Sequence, residues 1–108
     1  MIIAKLGQGK ILAIAEYGGP VSDVKVPAKG TASIELVPTA KEIEIHEIVG
    51  IIDIPNVKAI HSDLDIDGIL VDNVPIPPKI TVVLRNVGDT DVSVPAGAIK
   101  MKAGVIGR

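Results

Sequence analysis

The fold of this chain is decided by the stretch Lys79-Ile-Thr-Val-Val-Leu-Arg-Asn86, Val87-Gly-Asp-Thr-Asp91 and Val92-Ser-Val-Pro-Ala-Gly-Ala-Ile-Lys-Met-Lys102. Its first part alternates aliphatic residues with Thr81, Val83 and Arg85, the period-2 pattern of a strand that packs one face against a core. Gly88-Asp89 then supplies residues typical of a turn, so the pattern predicts a hairpin. Pro95 and Gly97 interrupt the second strand, and a bend or bulge is expected there before Ile99 resumes the alternation.

The segments before this stretch carry further strand patterns that are separated by turn residues. Turns are predicted at Gly18-Gly19-Pro20 and Ala28-Lys29-Gly30, with a short strand between them and another strand over residues 31–37. Residues 1–17 predict either two short strands or an N-terminal arm, residues 1–10, followed by one strand. The longest strand signal covers residues 41–54, where a change of phase predicts a bulge near His46 or a kink at Gly50.

Residues 57–72 complete the strand pattern. Residues 57–60 predict a short strand or sheet edge. Asp67-Gly68, between Ile66 and Ile69, predicts a type I′ turn, because both positions of that turn need positive φ and Asp-Gly suits them. Residues 64–71 are therefore expected to form a second hairpin. Many short strands without a helical pattern predict one domain, residues 1–108, with an all-β fold: an antiparallel β-sandwich of jelly-roll or immunoglobulin-like topology.

The composition predicts an aliphatic core and a homo-oligomer. Hydrophobic residues make up 47% of the 108 residues, but aromatic residues make up only 1%, which is the single Tyr17. A small domain with this much aliphatic surface has more than one core can bury, and the surplus is expected to lie between subunits. The abundance of Ile, Val, Glu and Lys also suits a heat-stable source.

Composition and charge argue against several function classes. The net charge is −2, and the Lys and Arg residues form no run of the kind that binds nucleic acid. Cysteine is absent, which excludes a disulfide, a thiol nucleophile and a thiolate metal site. The apolar run at residues 11–15 is too short for a signal-peptide core or a membrane span. We therefore expect no nucleic-acid partner, no membrane partner and no signal peptide.

One motif resembles a metal site. Asp63-Leu-Asp-Ile-Asp-Gly68 matches the start of a calcium-binding EF-hand loop, but the twelfth position is Val74 instead of glutamate and no helix pattern flanks the loop. An acidic solvent-facing side of a strand is the simpler interpretation. The alternative is a calcium ion bound by Asp63, Asp65 and Asp67, since the ion would relieve the repulsion among the three carboxylates.

Two further groups of residues contain the right types for chemistry but not the right spacing. His46 and His61, with the nearby Glu44, Glu47 and Asp63, could in principle ligate a metal, yet nothing in the sequence brings them together. His61-Ser62-Asp63 contains the residue types of a hydrolytic triad, but adjacent residues of a strand point to opposite faces. We therefore predict no catalytic residue, no bound cofactor and no enzyme activity.

The C-terminal half resembles known β-sandwich domains. Residues 80–94 resemble the V-x-V-x-N-x-G-x-x-x-x-x-V hairpin of virion structural proteins and cell-surface adhesion modules, and Ile66-Asp-Gly-Ile-Leu-Val-Asp-Asn-Val-Pro75 is similar to a segment of phage capsid-associated sandwiches. The resemblance implies a symmetric assembly, usually a trimer, that binds a protein lattice and has no catalytic residues.

These observations together predict a non-enzymatic structural protein that self-assembles symmetrically. The class we expect is a virion decoration or capsid-associated protein, a homotrimer that binds itself and a capsid surface, located in the virion or in the cytoplasm of the producing cell. The alternative is a cell-surface adhesion or recognition module that calcium stabilises through the three aspartates.

Overall fold

The computed structural model describes residues 2–5, 11–39 and 46–107. Most of the described residues lie in strands and none in an α-helix, which confirms the predicted all-β class. The strands are β1 (Ile2–Lys5), β2 (Ile11–Gly19), β3 (Val24–Val26), β4 (Thr31–Pro38), β5 (His46–Ile51), β6 (Leu64–Asp72), β7 (Lys79–Asn86), β8 (Val92–Val94) and β9 (Ile99–Gly107), with a 3-10 turn at Val57–Ala59.

Six strands form one antiparallel sheet in the order β5-β9-β2-β4-β7-β6, and this sheet curls nearly into a barrel. Strand β1 pairs with the first residues of β2, and β3 pairs with β8 in a separate two-stranded sheet. The result is sandwich-like, because the small sheet buries its valines against the curled one. The molecule measures 52 × 20 × 20 Å.

The core consists of the alternating aliphatic residues of the strands. In β7, Ile80, Val82 and Leu84 are fully buried, as the period-2 pattern predicts, and β4 buries Ile34 and Leu36 in the same way. Tyr17 is also fully buried, and its hydroxyl donates a hydrogen bond to the carbonyl oxygen of Pro78 at 2.9 Å.

The hairpin predicted over residues 79–102 is wrong. Strand β7 pairs with β4 and β6, whereas β8 pairs with β3, so the chain crosses from one sheet to the other after Asn86. The alternation correctly identifies the faces of the strands. The alternation carries no information about which strands are neighbours. The turn residues Gly88-Asp89 are also as suitable for a connection between two sheets as for a hairpin.

The side chain of Asn86 holds this crossing. It is fully buried, and its Nδ2 donates to the carbonyl oxygens of Val26, at 3.1 Å, and Thr90, at 2.8 Å. Its Oδ1 accepts the N–H of Gly88 at 2.9 Å. One amide therefore joins the end of β7 to β3 and to the turn that leads into β8.

The second predicted hairpin is also wrong. Residues 64–72 form the single strand β6, which pairs with β7 along its whole length, and the register shifts between Ile66 and Gly68. Asp67 is thus the extra residue of a β-bulge, a feature that Asp-Gly accommodates as well as it accommodates a turn. Eight residues of β7 are available as a continuous partner, so pairing with β7 outweighs a reversal at Asp67.

Several other predictions have clear outcomes. The alternative of two N-terminal strands is confirmed by β1 and β2, and a register shift between Ile48 and Gly50 confirms an irregularity in β5. Gly97 has φ of +74° in the break between β8 and β9, as expected. Residues 57–60 do not form a strand but contain the 3-10 turn. Residues 6–10 and 40–45 lie outside the described residues, as do the terminal Met1 and Arg108.

We expect Asn86→Ala to lower the free energy of unfolding by about 2–4 kcal/mol, because it leaves the buried carbonyl of Val26 without its partner and also removes the hydrogen bonds with Thr90 and Gly88. Chemical denaturation monitored by circular dichroism measures this change. Asn56→Ala is the matched control, since the Asn56 side chain is exposed and makes no capping hydrogen bond. An equal loss in both variants would contradict the role assigned to Asn86.

Burial raises the pKa of Tyr17 from 10.0 to about 12. The folded protein therefore keeps a proton that the unfolded chain releases, so this contribution to stability is complete below pH 10 and is lost as the pH rises towards 12. Tyr17→Phe should lack this part of the pH dependence. Because Tyr17 is the only aromatic residue, the ultraviolet absorbance of tyrosinate follows its titration directly, and ionisation near pH 10 in the folded protein would contradict the prediction.

Candidate functional site

The curled sheet leaves its two outermost strands, β5 and β6, facing each other along a seam. Asn73, directly after β6, bridges this seam to Ile48 of β5. The N–H of Ile48 donates to Oδ1 of Asn73 at 2.8 Å, and Nδ2 of Asn73 donates to the carbonyl oxygen of Ile48 at 3.0 Å. The amide side chain thus replaces the N–H and C=O that a neighbouring strand would supply.

Exposed aliphatic side chains cluster on the two segments that meet at this bridge. Ten large hydrophobic side chains are exposed among residues 13–39 and 47–107, whose burial the structure describes, and seven of them lie in residues 49–54 and 70–76. We call these seven the seam patch: Val49, Ile52, Ile54, Leu70, Val71, Val74 and Ile76. Their exposed fractions run from 41% for Val71 to 87% for Val74. Their side chains do not all share one face of the sheet: Val71 lies opposite the buried Ile80, whereas its neighbour Leu70 lies opposite Thr81 on the other face.

The seam patch is nearly free of charge. Its two segments contain no Lys, Arg or His, and their only acidic residues are Asp53 and Asp72. Each of these carboxylates accepts a backbone N–H: Asp53 from Lys102 at 2.7 Å and Asp72 from Val74 at 3.0 Å. The exposed surface at the seam is therefore dominated by hydrocarbon.

Two of the three aspartates proposed as calcium ligands, Asp65 and Asp67, are paired with basic side chains. Asp65 pairs with Lys58 at 2.8 Å, and Asp67 accepts two hydrogen bonds from Arg85, at 3.2 and 3.1 Å. Asp63 packs against Gly88, and its Oδ2 lies 3.8 Å from Nδ1 of His61. A calcium ion would have to compete with these contacts, and the calcium site stays a prediction.

The two histidines are placed apart from any common centre that the structure describes. His46 begins β5, and its side chain and Glu44 lie outside the described side chains. Nδ1 of His61 accepts the N–H of Asp63 at 3.0 Å. Within residues 2–5, 11–39 and 46–107, no three His, Cys, Asp or Glu side chains are grouped as metal ligands.

A cavity of about 350 Å³ lies on β2 and β9 beside Asp53 and Thr39. Its charged lining consists of Glu16, Asp53, Lys100 and Lys102. Lys100 and Lys102 make no ion pair with any residue that the structure describes. Two carboxylates and two ammonium groups balance each other, so the lining favours neither an anionic nor a cationic ligand.

No family model, no curated protein and no solved structure matches the chain. In the part of the chain that the structure describes, no helix has the length and apolar character needed to cross a membrane. The choice of candidate site therefore depends on the geometry alone.

Sequence analysis predicted surplus aliphatic surface but missed where it lies. The available signal was Val74-Pro-Ile-Pro77, in which apolar residues stand in a loop instead of a strand, where no neighbouring strand covers them. The bridging role of Asn73 had no local signal, because its partner Ile48 is 25 positions away.

We expect millimolar Ca²⁺ to leave the melting temperature unchanged, because Asp65 and Asp67 are already paired with Lys58 and Arg85. Differential scanning calorimetry with and without Ca²⁺ makes the measurement, with Mg²⁺ as the control for ionic strength. A rise in melting temperature that Asp65→Ala abolishes would instead establish the calcium-stabilised alternative.

Proposed function

We propose that this chain is a non-enzymatic structural protein that assembles symmetrically with copies of itself, and specifically a virion decoration or capsid-associated protein. The observation that carries the proposal is the seam patch. Seven exposed aliphatic side chains on two adjoining segments are costly to leave in water, and a subunit interface is the ordinary way in which such a surface is buried.

The composition of the seam patch supports a protein interface over other uses. The centres of protein interfaces are depleted of charged residues and rich in apolar surface, and each partner of a standard interface contributes about 800 Å². The patch combines aliphatic side chains with two carboxylates that are occupied by backbone N–H groups. A partner with an apolar surface of its own fits it best.

The virion assignment is supported by the resemblance of residues 66–94 to capsid-associated and virion sandwich domains. The same resemblance favours a trimer and a protein lattice as the larger partner. The non-enzymatic part of the proposal is supported by the absence of cysteine and by the ion pairs that engage Asp65 and Asp67.

The alternative function is a cell-surface adhesion or recognition module. The observation in its favour is that Val74 and Ile76, two of the most exposed residues of the patch, lie on a loop. Recognition residues often lie on loops that a rigid sheet supports. This alternative predicts a monomer that uses the loop to bind a different protein.

Light scattering after size-exclusion chromatography tests the proposal over a wide range of concentrations. We expect the wild type to be an oligomer and the variant Leu70→Lys/Ile76→Lys to have a lower mass, because both substitutions place a charge in the buried interface. Both side chains are exposed in the single chain, so the melting temperature of its fold should change little.

Val21→Lys is the matched control, since Val21 is 83% exposed and lies outside the seam patch. We expect it to keep the wild-type mass. A wild type that stays monomeric at every concentration would refute self-assembly and favour the recognition module.

A further inference from the structure

We infer that the cavity on β2 and β9 binds a small zwitterion, a molecule that carries one carboxylate and one ammonium group, as a free amino acid does. This inference does not rest on the proposed function, because it concerns a different feature of the structure and a small ligand instead of a protein partner. It adds a small-molecule site to a chain that we otherwise propose to be structural.

Charged groups of both signs stand around the cavity. Lys100 and Lys102 are exposed residues of β9 two positions apart, so their side chains point to the same face of the sheet. Glu16 of β2 lies directly opposite Lys102. Opposite charges at such a cross-strand position commonly attract each other, yet no ion pair joins Glu16, Lys100 or Lys102 to any residue that the structure describes. These charged groups can therefore bind a ligand without first breaking an ion pair.

Hydrogen bonds to the backbone hold the two sides of the cavity. On the side of β5, Oδ1 of Asp53 accepts the N–H of Lys102 at 2.7 Å, and Oδ2 can accept hydrogen bonds from a ligand. On the side of β4, the N–H of Thr39 donates to the carbonyl oxygen of Glu16 at 2.9 Å, and the Thr39 hydroxyl donates to the same oxygen at 3.4 Å. Both sides are thus in place before a ligand arrives, which lowers the entropic cost of binding.

The charges of the lining select a zwitterion. Two carboxylates and two ammonium groups line the cavity, so an anion would lie beside the carboxylates and a cation beside the lysines. A zwitterion can instead direct its carboxylate to the lysines and its ammonium group to Glu16 and Asp53, and both contacts are charge-assisted hydrogen bonds.

The size of the cavity and its lack of aromatic surface favour a compact ligand. Its volume of about 350 Å³ is near the lower end of the range of roughly 300–1,000 Å³ that is typical of ligand pockets. Tyr17 is the single aromatic residue of the chain, and it is buried with its hydroxyl bonded to Pro78. A flat ring would therefore find no exposed aromatic side chain on which to stack, whereas a small amino acid needs none.

An NMR titration of the full chain with L-alanine tests the inference. Acetate and methylammonium each carry one of the two charged groups of L-alanine and serve as comparison ligands, with sodium chloride as the control for ionic strength. We expect L-alanine to shift the amide resonances of Lys100, Met101 and Lys102 until the site is saturated. Each singly charged ligand should bind at least about tenfold more weakly, because it loses the charge-assisted contacts of the other group.

Two double variants remove the charges of one sign. Lys100→Gln/Lys102→Gln and Glu16→Gln/Asp53→Asn should each weaken the binding of L-alanine at least about tenfold, and an asparagine at position 53 can still accept the N–H of Lys102. The first variant should then prefer methylammonium to acetate, and the second should prefer acetate to methylammonium. A loss of structure alone would not produce this opposite preference. Lys25→Gln is the matched control, because Lys25 lies on β3 outside the cavity, and it should bind L-alanine as the wild type does.

The outcomes separate this inference from the proposed function. Circular dichroism of each variant confirms its fold. Shifts with L-alanine that equal those with sodium chloride overturn the zwitterion site, as do double variants that bind L-alanine as tightly as the wild type. Acetate or methylammonium that binds the wild type as tightly as L-alanine also overturns it. None of these results changes the mass of the wild type in solution, by which self-assembly is judged.

Discussion

The buried amide of Asn86 is the interaction on which the arrangement of the two sheets depends. A polar side chain in an aliphatic core is tolerated only when its hydrogen bonds are made, and Asn86 makes three, which fix the end of β7, the end of β3 and the turn before β8 relative to one another. The backbone ladder between β3 and β8 then completes the small sheet. One buried side chain thus ties the small sheet to the end of β7.

The seam between β5 and β6 is the second constraint, and it accounts for the exposed apolar surface. Val71 lies opposite the fully buried Ile80 on the inner face of the sheet, yet Val71 is exposed. The difference arises because Ile80 has strands on both sides, whereas Val71 is on the edge strand β6. Next to Val71, the side chain of Asn73 bridges the gap to β5. A sheet that stops short of a full barrel thus leaves Val71 exposed on the face that a closed barrel would cover.

The sequence correctly predicts which residues of a strand face the core, but it does not predict which strands pair with each other. Alternation in β4 and β7 identifies the buried residues correctly, because side chains point to opposite faces in any strand. The same alternation does not say that β7 lies between β4 and β6, and both predicted hairpins failed for this reason: Gly88-Asp89 serves a crossing and Asp67-Gly68 a bulge. The seam patch could be predicted only in part: Val74 and Ile76 stand beside prolines in a loop, whereas the exposure of Val71 depends on the tertiary pairing that leaves β6 at an edge.

The pairing of β2 with β9 affects the rate of folding. Its closest pair in sequence, Gly19 with Ile99, is still separated by 80 positions, and the ladder extends from there to Leu12 with Ile106. Closing so large a loop costs entropy before any contact compensates for it, so folding is expected to be slow for a chain of this size. During synthesis on the ribosome, β2 emerges long before β9. Until β9 follows, the backbone groups of β2 that pair with it remain unpaired and accessible to a chaperone or to a neighbouring nascent chain.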